Sequence, residues 1–128
     1  MNDGVTTVVA DLEAGIGTLT RLASASVDAT VVVVEPTLRS IDVARRAVAV
    51  ADEQSQGQVV VVANKVGDDD DRSRIDEAFA GRVVVVVPED PAVDAADRLG
   101  VSPVDHAPSA PAVAALERLV DVLDLDAG

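Results

Sequence analysis

Val59-Val60-Val61-Val62-Ala63-Asn64 is the stretch that decides the fold, because five apolar residues run without a polar interruption until Asn64. A continuous run rich in β-branched residues is typical of a strand buried on both faces, as in a parallel sheet covered by helices. Three further valine-rich blocks lie along the chain, at Val5–Asp11, Thr30–Glu35 and Val83–Val87. The four blocks predict a four-stranded, mainly parallel sheet.

The segments between these blocks carry helical signals. Ser40–Gln54 has apolar residues at helical spacing, and we expect Ser40 to cap this helix. A shorter helix is predicted over Arg72–Ala80, and two more over Pro91–Leu99 and Pro111–Leu123, each opening with proline. Alternating strands and helices predict an α/β fold of three layers, Rossmann-like, with residues 1–128 forming a single domain.

Composition excludes several functional classes. The 128 residues contain 10 Lys+Arg and 23 Asp+Glu, a formal net charge of −13, which argues against nucleic acid and anionic membranes as partners. The chain has no cysteine and one histidine, so disulfides, thiolate catalysis and zinc–thiolate sites are excluded. An apolar fraction of 48% argues against overall disorder.

Nothing in the sequence predicts membrane insertion. Pure valine runs such as Val31–Val34 and Val83–Val87 are far shorter than the ~20 residues that a spanning helix needs. No signal peptide is visible at the start, so we expect a cytoplasmic protein. An acidic surface with a single lysine suits a salty, halophilic cytoplasm, and a GC-rich genome would equally favour arginine over lysine.

Polar residues follow each valine block at the point where its strand should end. They are Asp11, Glu35, the pair Asn64-Lys65, and Pro88-Glu89. Because open parallel sheets bind ligands at the carboxyl ends of their strands, these residues are the candidates for a site. The acidic run Asp68–Asp71 is predicted to be a solvated turn, and His106 a residue of the loop before the last helix.

Four motifs at these strand ends resemble a known family when taken in order. They are Asp11-Leu12-Glu13-Ala14-Gly15, Glu35-Pro36-Thr37-Leu38-Arg39-Ser40, Asn64-Lys65-Val66 and Val87-Pro88-Glu89-Asp90. Over residues 5–123 the chain resembles the C-terminal half, after the phosphate loop, of the MinD/ParA-like P-loop ATPases. The branch it resembles most is that of the CooC-type ATPases, which assist nickel insertion into carbon monoxide dehydrogenase.

The resemblance implies ATP or ADP and Mg²⁺ as ligands, and it implies a role for each matching residue. Asp11 would hold the hydration shell of Mg²⁺, and the backbone N–H of Gly15 would face the γ-phosphate. Asn64, in the loop with Lys65, would read the adenine edge, while Pro88 and Glu89 would pack on the base. The plainer alternative is local: polar groups that satisfy the backbone at strand ends, a turn glycine and a strand-ending proline.

The chain departs from the family in having no Gly-x-x-x-x-Gly-Lys-[Ser/Thr] phosphate loop. That loop and its lysine supply most of the charge stabilisation in phosphoryl transfer, so we expect no ATPase activity from this chain alone. The sequence then fits an inactive remnant, a truncated gene model or one half of a split ATPase. The alternative is a non-catalytic α/β interaction module that binds a partner ATPase or forms a homodimer.

The missing phosphate-loop strand leaves two expectations for the sheet. Either Val5–Asp11 pairs directly with Thr30–Glu35, or a second chain supplies a strand. That second chain would be a homodimer mate or a protein carrying the phosphate-loop half. The tail at 124–128 is expected to be disordered.

Overall fold

The computed structural model describes residues 6–11, 27–54 and 57–123. Within these residues it shows an α/β fold with a parallel sheet and flanking helices. The strands are β1 (Ala29–Val34), β2 (Gln58–Val66) and β3 (Val83–Pro88). The helices are α1 (Leu38–Gln54), α2 (Asp69–Ala78), α3 (Pro91–Leu99), α4 (Pro103–His106) and α5 (Pro111–Leu123).

The three strands are hydrogen-bonded in the order β1-β2-β3 and all run parallel. Val33 lies beside Val62, and Val62 lies beside Val85, so these valines share one face of the sheet. Their neighbours in sequence point to the other face, because side chains alternate along a strand. Valine therefore supplies both faces of the sheet, as the unbroken runs predict.

Each face of the sheet is covered by a different set of helices. The crossover helices α1 and α2 pack on the face of Val32 and Val61, where Ile75 and Phe79 are buried. Both helices lie on one side of the sheet because the strands follow one another in the order β1-β2-β3, and crossover connections between parallel strands are right-handed. Helix α5 covers the opposite face with Ala112 and Ala115. The three-layer arrangement is thus present over β2 and β3.

The prediction of a fourth strand over Val5–Asp11 is wrong for the described part of that block. Thr6–Asp11 has no regular secondary structure, and Val8 and Val9 are 83% and 82% exposed. A β-branched run becomes a strand only when its N–H and C=O groups find a partner in a ladder, and none of the described strands pairs with this segment. The described sheet therefore has three strands.

Helix α1 begins earlier than predicted, and Ser40 is not its cap. The hydroxyl of Thr37 accepts a hydrogen bond from the Ser40 amide (3.2 Å), so Thr37 caps the helix that starts at Leu38. The Ser40 hydroxyl instead accepts from the amide of Glu35 (2.9 Å). These two bonds hold the turn from β1 into α1, so the hydroxyls of Thr37 and Ser40 stabilise the local backbone.

The acidic run Asp68–Asp71 is the start of helix α2 and not a solvated turn. Asp68 is the N-cap, and its carboxylate accepts from the Asp71 amide (2.8 Å). The next three aspartates occupy the first helical turn, where the unpaired amides and the helix dipole favour negative charge. This replaces the predicted range Arg72–Ala80 by Asp69–Ala78.

Proline and glycine signals are confirmed for the later helices. Helices α3 and α5 have the predicted bounds, and Gly100 ends α3 in the left-handed conformation at φ 70°. The exposed His106 closes the short helix α4, which the sequence did not predict. Across the described residues no helix has the length and apolar character that crossing a membrane requires.

Candidate functional site

Polar side chains from neighbouring strands meet at the carboxyl edge of the sheet. Glu35 directly follows β1, and Lys65 lies near the end of β2. The Lys65 Nζ atom is 3.3 Å from Glu35 Oε1, and both side chains are at least half exposed. The two strand ends are thus joined by an exposed ion pair, a contact that contributes at most about 1 kcal/mol.

A one-residue bulge shapes the end of β2. Ala63 pairs with Val86, but the next paired residues are Val66 and Pro88, so β2 contains one residue more than β3 over this interval. Lys65 takes up the excess with φ 58°, in the left-handed region that residues other than glycine seldom adopt. The bulge interrupts the ladder at Asn64 and Lys65, beside a cavity.

This cavity of about 210 Å³ lies between the ends of β2 and β3 and the start of α3. Four of the predicted site residues line it together: Asn64, Lys65, Pro88 and Glu89. The other lining residues are Val87, Asp90, Val93 and Asp94. The half-buried side chain of Asn64 has no hydrogen bond to any other described residue. The functional roles of these residues stay predictions.

Asp90 holds the wall of the cavity in place, a role the sequence analysis missed. Its carboxylate accepts from the amide of Ala92 (2.9 Å), which caps α3, and from the amide of Ala112 (3.0 Å) at the start of α5. One carboxylate thus joins two helix N-termini. The Asp90-Pro91 pair does signal a cap followed by proline at the first helical position. The second bond spans 22 residues and has no local signal.

The loop before α3 is also tied to the end of β2. The amide of Glu89 donates to the carbonyl of Val66 (3.0 Å), and the amide of Gly67 donates to Asp71 Oδ2 (2.9 Å). A Cβ on Gly67 would lie 3.1 Å from Glu89 Oε2, so the Glu89 side chain passes close to the backbone here. These contacts give the cavity a fixed rim.

The charge of the cavity is negative. Glu89, Asp90 and Asp94 contribute carboxylates, and Lys65, the one cation among the described lining residues, is paired with Glu35. Asp90 uses its oxygens to cap helices. Glu89 and Asp94 therefore dominate the field that a ligand meets. This arrangement suits hydrogen-bond donors and neutral rings better than phosphate groups.

The remaining predicted residues do not line this cavity. Asp11 is exposed at the end of the irregular segment Thr6–Asp11. Gly15 lies outside the described residues. In the described ranges no group of three or more His, Asp or Glu side chains is placed to hold a metal ion. The Mg²⁺ role of Asp11 stays a prediction.

The fold and the cavity define a class of protein: a parallel α/β sheet with a polar cleft at the carboxyl ends of its strands, where open α/β sheets bind ligands. Comparison with known proteins adds one relative. Over 119 residues the chain is 31% identical to an uncharacterized ATP-binding protein of Methanocaldococcus jannaschii.

The match covers 91% of this chain and 45% of that relative, so the chain spans less than half of the relative's length. No protein-family model matches the chain.

Proposed function

We propose that this chain binds the base of an adenine nucleotide in the cavity between β2 and β3. The observation that carries the proposal is the bulge in β2, which interrupts the strand pairing at Asn64. The side-chain amide of Asn64 lines the cavity and has no hydrogen-bond partner among the described residues. A side-chain amide offers a donor and an acceptor together, the pair that the edge of adenine requires. The relative from Methanocaldococcus jannaschii is itself described as ATP-binding, which supports the same ligand.

The size of the cavity supports recognition of the base alone. At about 210 Å³ it is smaller than the ~300–1,000 Å³ clefts that enclose drug-sized ligands. Pro88 and Val93 offer apolar surface to a ring, and the Glu89 carboxylate can accept from an amino group. The unpaired carboxylates would repel a triphosphate. Phosphate binding would therefore need groups beyond those that line the cavity.

The finer form of the proposal follows the resemblance to the MinD/ParA-like and CooC-type ATPases. In that form Asn64, Lys65, Pro88 and Glu89 are the base-side loops of an ATP site, and Asp11 and Gly15 belong to its phosphate and Mg²⁺ side. The chain has no phosphate-loop lysine. We therefore propose that the chain does not hydrolyse ATP by itself.

Calorimetric titration with adenosine, ADP and Mg-ATP tests the proposal. We expect adenosine to bind at least as tightly as Mg-ATP at low salt, because the cavity favours a neutral ring. Asn64→Ala should weaken adenosine binding about five- to tenfold, the effect of one lost hydrogen bond. Gln54→Ala removes an amide at the end of α1, outside the cavity lining, and should leave binding unchanged.

Two results would count against the proposal. The first is the absence of saturable binding at millimolar adenosine and ADP. The second is equal affinity of Asn64→Ala and the unchanged protein, which would place the ligand elsewhere. Steady hydrolysis of Mg-ATP by the purified chain would contradict the statement that it is not an ATPase alone.

A further inference from the structure

The ammonium group of Lys65 is the one positive charge among the described residues that line the cavity. It lies 3.3 Å from the Glu35 carboxylate, and Glu35 is not itself a lining residue. Glu35 follows β1, which lies on the side of β2 away from β3, whereas the cavity lies between the ends of β2 and β3. The ion pair therefore holds the cation toward the β1 side of the cavity.

The other ionisable residues of the lining are acidic. Glu89, Asp90 and Asp94 carry carboxylates, and the carboxylate of Asp90 already accepts two backbone hydrogen bonds. A phosphate group bound beside these residues is repelled unless the Lys65 ammonium contacts it. A neutral nucleoside needs no such contact. The position of Lys65 therefore determines how much more weakly a nucleotide binds than the nucleoside does.

The phosphate of a bound nucleotide and the Glu35 carboxylate would compete for the same ammonium group. Both side chains of the existing pair are at least half exposed, so the equilibrium constant for forming it is about 1.5 to 5. A ligand that needs Lys65 free binds more weakly by the fraction of molecules in which Lys65 is already paired, a loss of about two- to sixfold. The flexible lysine side chain allows the ammonium group to change partner.

We propose that Glu35, by holding Lys65, makes the cavity select adenosine over its phosphorylated forms. This selectivity rests on the base-binding function proposed above, and it adds the residue pair that sets the class of ligand. Glu35 acts through Lys65, so it is a positioning residue and has no contact with the base. The bulge in β2 contributes by placing Lys65 at the rim of the cavity.

Calorimetric titration with adenosine and with metal-free ADP gives the ratio of the two dissociation constants for each variant. Glu35→Gln keeps the size of the side chain and removes its charge, so ADP should gain about two- to sixfold in affinity relative to adenosine. Asp42→Asn removes the carboxylate of another exposed ion pair, that with Arg46 on α1, and should leave the ratio unchanged. An unchanged ratio in Glu35→Gln would overturn the proposal.

Loss of the Glu35 charge also weakens the repulsion of phosphate directly. A double-mutant cycle separates this direct effect from the release of Lys65. In a Lys65→Met background Glu35→Gln should change the ratio by a clearly smaller factor, because no ammonium group is released. Equal factors in the two backgrounds would show that Glu35 acts by its own charge alone, which contradicts a role through Lys65.

Lys65 is the only lysine in the sequence, which allows a readout that does not depend on affinity. Isotopic labelling of lysine at Cε gives one nuclear magnetic resonance signal, and that signal reports on the surroundings of the ammonium group. In Glu35→Gln, saturating ADP should shift the signal, and saturating adenosine should leave it nearly unchanged. An ADP shift no larger than the adenosine shift would also overturn the proposal.

Loss of folding is distinguishable from loss of selectivity. The Ser40 hydroxyl accepts from the backbone amide of Glu35, so Glu35→Gln keeps the bond that holds the turn into α1. Its circular dichroism spectrum and its affinity for adenosine should match those of the unchanged protein. If the unchanged protein does not bind adenosine, the base site is wrong and the selectivity falls with it. Adenosine binding with an ADP ratio that Glu35→Gln leaves unchanged contradicts the selectivity alone.

Discussion

Lys65 combines a strained backbone with a position at the cavity. Its φ of 58° is unfavourable for a residue with a side chain, and the one compensating contact that the structure shows for its ammonium group is the exposed pair with Glu35. Non-glycine residues in this conformation are concentrated at functional sites. The strain is therefore a physical reason to connect the bulge with ligand binding.

Replacing Lys65 by glycine should stabilise the fold relative to Lys65→Ala. Both changes remove the ion pair, but Lys65→Gly alone relieves the left-handed strain, so its free energy of unfolding should be higher by about 1 kcal/mol. Urea titration of both variants measures the difference. Equal stability would mean that the bulge imposes no strain at this position.

Asp90 shows how one side chain can organise two elements. It joins the start of α3 to the start of α5 through hydrogen bonds of 2.9 and 3.0 Å. Val93 of α3 lines the cavity, and both helices pack on the sheet face opposite α1. Loss of this carboxylate should therefore affect both the stability of the fold and the shape of the cavity.

Asp90→Ala should lower the free energy of unfolding by about 2 kcal/mol, because each N-cap contributes about 1 kcal/mol. Ser102 also caps a helix, but α4 has four residues and no buried side chain. Ser102→Ala should cost clearly less than Asp90→Ala. Denaturant titration compares the two, and a similar cost for both would contradict a double role for Asp90.

An ion pair connects helix α1 to the turn before β3. Arg82 Nη1 donates to Asp52 Oδ1 (2.9 Å), and Nη2 donates to Oδ2. The hydrogen bonds from Arg82 lower the pKa of Asp52, and those to Asp52 raise the pKa of Arg82. Because the pKa of Asp52 is lower in the folded state, the pair adds stability above the unfolded carboxyl pKa of about 3.9.

Asp52→Asn should therefore be less stable than the unchanged protein at neutral pH. The gap should close as the pH falls below about 4 and through the lower pKa of folded Asp52. Urea midpoints at several pH values measure it. Asp42→Asn breaks the exposed Arg46 pair within α1 and should give a smaller gap at neutral pH. A gap for Asp52→Asn that widens in acid would contradict the assignment.

The whole molecule is marked by an excess of negative charge. A formal net charge of −13 on 128 residues opposes the compact state through self-repulsion. No polar side chain is buried among the described residues, so the core does not depend on ionised groups. Dissolved salt should therefore screen the repulsion among the surface charges and leave the core unaffected.

Added salt should raise the thermal unfolding midpoint, since screening weakens repulsion more in the folded state than in the expanded one. Circular dichroism at increasing sodium chloride concentration measures the midpoint. Replacing the exposed Asp97 and Asp105 by asparagine removes two negative charges and should reduce the slope. A midpoint that falls with salt would show that attractive pairs dominate.

The sequence by itself determined the elements whose signals are local. Three valine runs became parallel strands, proline set the starts of α3 and α5, and glycine set the end of α3. Four of the residues predicted at the strand ends share one cavity, because parallel strands end at the same edge. These outcomes depend on the spacing of apolar residues and on the backbone preferences of valine, proline and glycine, and both can be read from a few consecutive residues.

Tertiary structure decided whatever depends on distant partners. Thr6–Asp11 has the composition of a strand but pairs with none of the described strands, since a ladder needs a hydrogen-bonded partner strand as well as a β-branched run. The bulge at Asn64 and Lys65 arises from the register of β2 against β3. The bond from Ala112 to Asp90 depends on how α5 lies on the sheet. Composition cannot encode these relations, because each is a distance between residues far apart in the chain.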